Sequence, residues 1–71
     1  MSNAVKTFEV YSQLGVFADL KSTGCSFNKY DSQWEVWGHF QGENGRKNGR
    51  LAQFEKVDDA VDFNRMCQEI L

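Results

Sequence analysis

The sequence predicts an α+β fold, a small antiparallel sheet of three to four strands with one C-terminal helix packed on one face. Three observations predict it. "VDDAVDFNRMCQEIL", residues 57–71, carries apolar side chains at helical spacing. "QWEVWGHFQ" and "RLAQFEK" have the β-branched and aromatic content of strands, and the glycine-rich "GENGRKNG" lies between them. At 71 residues the chain makes a single domain, residues 1–71. A domain of that size buries only about 60% of the surface its unfolded form exposes. Six Phe, two Tyr and two Trp compensate by bringing large apolar areas to a core with room for few side chains.

In the helix, Ala60, Phe63, Met66, Cys67, Ile70 and Leu71 fall within one arc, and packing is expected through Phe63, Cys67 and Ile70. Asp58 suits the N-cap, with Asp59 and Asp62 adding negative charge where the helix dipole favours it. The two strands before it form a hairpin. Setting Gln41 opposite Arg50 puts His39 across from Ala52, Trp37 across from Phe54 and Glu35 across from Lys56, an aromatic pair and an ion pair on one face. The other face then holds Trp34, Val36, Gly38 and Phe40 with Leu51, Gln53 and Glu55. Asn44-Gly45 or Asn48-Gly49 would each serve instead as a two-residue turn and impose a different register.

Residues 4–21 read as two strands, "VKTFEVYS" and "VFADLK". Val5, Phe8, Tyr11, Leu14, Phe17 and Leu20 recur every three residues, a spacing that winds around a helix rather than marking a stripe. Residues 21–32, "KSTGCSFNKYDS", read as a polar loop tied down by Phe27 and Tyr30.

The net charge of −2 gives no overall field toward nucleic acid or an anionic membrane, so such binding needs a local patch. Cys25 and Cys67 are too few and too far apart for a disulfide framework, which points to a reducing cytoplasm. No apolar run approaches membrane-spanning length, and no secretory signal pattern is present, so no membrane partner is expected.

Chemical signatures are sparse. "GENGRKNGR" lacks the following helix and the Lys-Ser/Thr pair of a phosphate-binding loop. A G-x-x-G clamp joins helices, whereas strands flank this one. The segment therefore reads as a solvated hairpin tip, or as a basic finger in which Arg46, Lys47 and Arg50 contact an anionic partner. His39 has no neighbour to make a dyad, and Cys25, His39 and Cys67 have no zinc-site spacing, so neither catalysis, a cofactor nor a metal is expected. Both faces of residues 34–41 carry large rings, and one helix covers only one face. Either Trp37, His39 and Phe54 or else Trp34, Val36 and Phe40 are then left toward solvent; the first set is taken as the aromatic partner interface, open to a second copy, another protein or stacked bases unless the N-terminal segment closes over it.

"WEVWGHF", then "GR", then "LAQFEKVDDAVDFN" resembles the end of the three-stranded sheet and the helix of AP2-type and integrase arm-type DNA-binding domains. Phe54, Asp58, Asp59 and Ala60 match that family's strand-to-helix passage, and Arg50 its basic entry to the last strand. The match spans residues 34–64. Trp34 and Val36 stand two apart where the family has them adjacent, and the sheet carries few arginines, so the resemblance carries over only Arg50, as a phosphate contact. The expectation is a non-catalytic interaction module that self-associates or docks a partner protein through the aromatic sheet face. The alternative is a nucleic-acid-binding domain using that face and the basic hairpin loop 42–50.

Overall fold

A computed structural model describes residues 3–71. The chain runs α1 (Asn3–Gln13), β1 (Leu20–Asn28), β2 (Gln33–Gly42), β3 (Gly45–Phe54) and α2 (Val57–Glu69). The strands form one antiparallel sheet in the order β1-β2-β3. Helix α2 lies across all three strands and α1 packs against α2. The fold class is α+β as expected, with three strands and a second, N-terminal helix where two strands were predicted.

That helix follows from a stripe at i, i+4 and i+7. Ala4 is fully buried, and Phe8 and Tyr11 pack on the core. The three-residue spacing misleads because the helix stops at Gln13, leaving Leu14, Phe17 and Leu20 outside it. Gly15, at φ +73°, ends it: its N–H donates to the Ser12 carbonyl and the Val16 N–H to the Tyr11 carbonyl. This pair of bonds is a Schellman cap, which needs a residue tolerant of the left-handed region.

Residues 20–28 are a strand, not a polar loop. Phe27 pairs with Trp34, ring centroids 5.0 Å apart, while Tyr30 stands exposed with Lys29 Nζ 5.6 Å above its ring. Asn28 organises the turn to β2. Its Oδ1 accepts from the Tyr30 and Asp31 backbone N–H groups at 2.9 and 3.2 Å.

The β2–β3 register differs from the expected one by four residues on the hairpin side of a bulge and by three beyond it. Gln41 pairs with Arg46, His39 with Asn48, Trp37 with Arg50 and Trp34 with Phe54. The turn is Glu43-Asn44, and Gly45, at φ +106°, supplies the positive-φ step that follows it. "RKNG" is therefore strand, not loop tip. A bulge between Val36 and Trp37 inserts Leu51, so Leu51 and Ala52 are both buried beneath the helices and Arg50 turns to the opposite face.

The core is one cluster centred on Phe63, which is fully buried and ringed by Phe54, Tyr11, Phe8 and Phe17 at centroid distances of 5.5 to 6.4 Å. Cys67 and Ala60 lie on the same helical stripe. Ile70, expected in the core, is 52% exposed because α2 ends at Glu69. Its N-cap is Lys56, with no side-chain cap bond; Asp58 and Asp59 sit in the first turn, where the dipole still favours them.

Candidate functional site

Alternation along β2 sends Trp34, Val36, Gly38 and Phe40 toward the helices and Glu35, Trp37, His39 and Gln41 to the other face. No element among the described residues covers that second face. Phe54, expected there beside Trp37 and His39, pairs with Trp34 and is 6% exposed in the core. Trp37 is then the one large apolar side chain of the open face, at 38% exposure.

Glu35 anchors the middle of this face. Its Oε2 accepts from Arg50 Nη1 at 2.8 Å, from Asn28 Nδ2 at 3.1 Å and from Gln53 Nε2 at 3.1 Å, while Oε1 accepts from the Trp37 indole N–H at 3.1 Å. The Arg50 guanidinium first, then the Asn28 amide, lower its pKa to about 2; burial pushes upward and is outweighed, with Trp37 and Gln53 adding to the decrease. Glu35 is covered by its own partners rather than by the core. The cluster holds the indole by its N–H in one orientation.

The lowered pKa implies an acid dependence. A carboxylate at about 2 in the fold and 4.5 in the unfolded chain contributes stability that is fully present above about pH 4.5 and is lost as pH falls toward 2. Glu35→Gln is expected to flatten this acid limb in urea titrations at stepped pH. Equal acid sensitivity in both proteins would place the titrating group elsewhere.

The basic residues expected to act together are divided. Arg50 is paired with Glu35, and Lys47, opposite Phe40, takes the helix-side face. Arg46 alone of the three is on the open face without an ion pair among the described residues. It lines a cleft together with Lys21, a residue the sequence did not point to. A bulge between Leu20 and Ser22 inserts Lys21 into β1 and directs it into that cleft, of about 520 Å³, at the hairpin end of the sheet. Lys21, Ser22, His39, Phe40, Gln41, Arg46 and Asn48 line this cleft. His39 Nδ1 lies 2.6 Å from Asn48 Oδ1, which only accepts, so Nδ1 carries the proton and Nε2 is left for a ligand. Ser22 and Asn48 were missed because their strands were read as loops, and Lys21 because it stood where a predicted strand met a predicted loop.

Cys67 lies in the core, where burial raises its thiol pKa to about 11; His39 is on the opposite side of the sheet. Among the described residues no cluster of His, Cys, Asp or Glu is placed to hold a metal ion, and no helix is long and apolar enough to cross a membrane. Comparisons with protein-family models, with curated proteins and with solved structures found no match to this chain.

Proposed function

We propose that the protein is a non-catalytic binding module whose open sheet face receives single-stranded nucleic acid. The observation that carries this is an indole fixed on an uncovered sheet beside a basic cleft, in a chain whose net charge is negative. Charge is unevenly distributed. The helices hold five acidic residues, Glu9, Asp58, Asp59, Asp62 and Glu69, against Lys6 and Arg65, whereas the rest of the chain has five acidic and six basic ones. Sheet-borne aromatic rings stack unpaired bases, and nearby cations neutralise the backbone. Self-association through this face is disfavoured by the placement of Phe54 in the core, which leaves a mainly polar surface around Trp37.

The test is fluorescence anisotropy of a labelled ten-nucleotide oligothymidylate, with sedimentation analysis of the protein alone. Binding that weakens with salt is expected, and Trp37→Ala should cost about 1–3 kcal/mol of affinity through lost stacking. A dimer that ignores the oligonucleotide, or binding indifferent to Trp37→Ala, would overturn the reading.

A further inference from the structure

We infer that the cleft at the hairpin end of the sheet is a phosphate subsite, so that a bound strand lies with a base on Trp37 and a neighbouring phosphate between Lys21 and Arg46. This rests on the strand-binding reading for the source of the phosphate. The cleft itself is argued from its lining. Two cations reach it from outer strands on opposite sides of β2, Lys21 from β1 and Arg46 from β3, and neither has an ion pair among the described residues. The Ser22 hydroxyl and the Gln41 and Asn48 side chains add neutral polar groups. No carboxylate lines it, although Asp19 and Glu43 are close in sequence.

His39 adds an acceptor to this set. With its Nδ1–H committed to Asn48, Nε2 is left to accept from a protonated phosphate oxygen or from a water bridging to the phosphate. The opposite end of the face has the reverse character. Asp31 accepts from Asn28 at 3.2 Å and from Gln53 at 3.4 Å, beside the Glu35 carboxylate, and Arg50 is consumed by Glu35. A polyanion placed on Trp37 is therefore drawn toward the hairpin end and repelled from the other. His39 is two residues from Trp37 on the same face, about 7 Å along the strand, a separation that one extended nucleotide can bridge from base to phosphate.

The experiment uses two probes, inorganic phosphate at constant ionic strength and ten-nucleotide oligothymidylate, on the wild type and on Lys21→Gln/Arg46→Gln. Both substituted side chains are exposed, and an unchanged melting transition will show that the variant folds. Phosphate is expected to shift the His39 imidazole and Asn48 amide NMR signals saturably, and to compete with the oligonucleotide. The double variant should abolish those shifts, weaken oligonucleotide binding at least about tenfold at low salt, and flatten the salt slope by about 0.7, the value for one phosphate neutralised on a single strand. Saturable phosphate shifts without oligonucleotide binding would keep the subsite and remove the strand. Oligonucleotide binding that phosphate does not compete with and the double variant does not weaken would keep the strand and overturn the subsite.

Discussion

Phe63→Ala is expected to remove a large share of the domain's stability, about 3–5 kcal/mol. The ring is fully buried and meets four other aromatic rings, from α1, from the turn after it and from the end of β3. Truncating such a residue costs about 3–5 kcal/mol, the lost transfer energy plus the cavity left behind. A 71-residue domain holds only about 4–11 kcal/mol in total, so the substitution consumes a large share of the margin. The melting temperature should fall by at least about 12 °C. Phe63→Leu refills much of the volume and should lose less than the alanine variant. Calorimetry decides: a Phe63→Ala transition within a few degrees of the wild type would mean that the two helices do not share the cluster described above.

The same ring explains which parts of the fold were legible in the sequence. Ala60, Phe63 and Cys67 form a clean helical stripe, and α2 was readable almost to the residue. Strands β2 and β3 were readable from their rings, but not their register. Register depended on how much of "GENGRKNG" is loop, and glycine content alone misjudged it: Gly49 is a strand residue facing Gly38, with only Glu43 and Asn44 in the turn. The bulge at Leu51 is equally invisible to simple alternation, and it is what frees Arg50 to reach Glu35. Helix α1 was hidden because its buried stripe begins at Ala4, a small residue that a count of large apolar side chains skips. Its stop signal, Gly15, was present in the sequence and would have bounded the helix.

These errors bear directly on the candidate site. His39 and Arg46 were singled out from residue type and remained together on the open face, since both lie on it in the true register. Phe54 moved into the core because the one-residue bulge flips the face of the residues beyond it, whereas the four-residue difference, being even, flips none; Lys47, read as loop, takes the helix-side face as a strand residue opposite Phe40. Lys21 had no signal at all where a predicted strand met a predicted loop. The bulge in β1 brings it to the cleft that Arg46 also lines.

Two glycines on neighbouring parts of the sheet are expected to respond in opposite ways to the same change. Gly38 faces the helices, and a Cβ there would lie 2.9 Å from Leu20 Cδ1, 3.0 Å from Phe40 Cε2 and 3.1 Å from Leu51 Cδ1. These are ends of flexible side chains, but one comes from each of the three strands and they close on the same point. Gly38→Ala should cost about 1–3 kcal/mol as the three shift, and Gly38→Val, with two further methyl groups, should lie at or above the top of that range. Gly24 pairs with Trp37 on the open face, and a Cβ there meets nothing within 4 Å. Gly24→Val should leave stability unchanged or raise it by about 0.5–1 kcal/mol, because a strand residue with less unfolded-state freedom replaces glycine. Its side chain would nevertheless stand beside the indole and crowd a base stacked there, so oligonucleotide affinity should fall while urea stability does not. If Gly38→Val is as stable as the wild type, the packing of Leu20, Phe40 and Leu51 is not as described. If Gly24→Val binds oligonucleotide as well as the wild type, the base does not occupy the Trp37 platform.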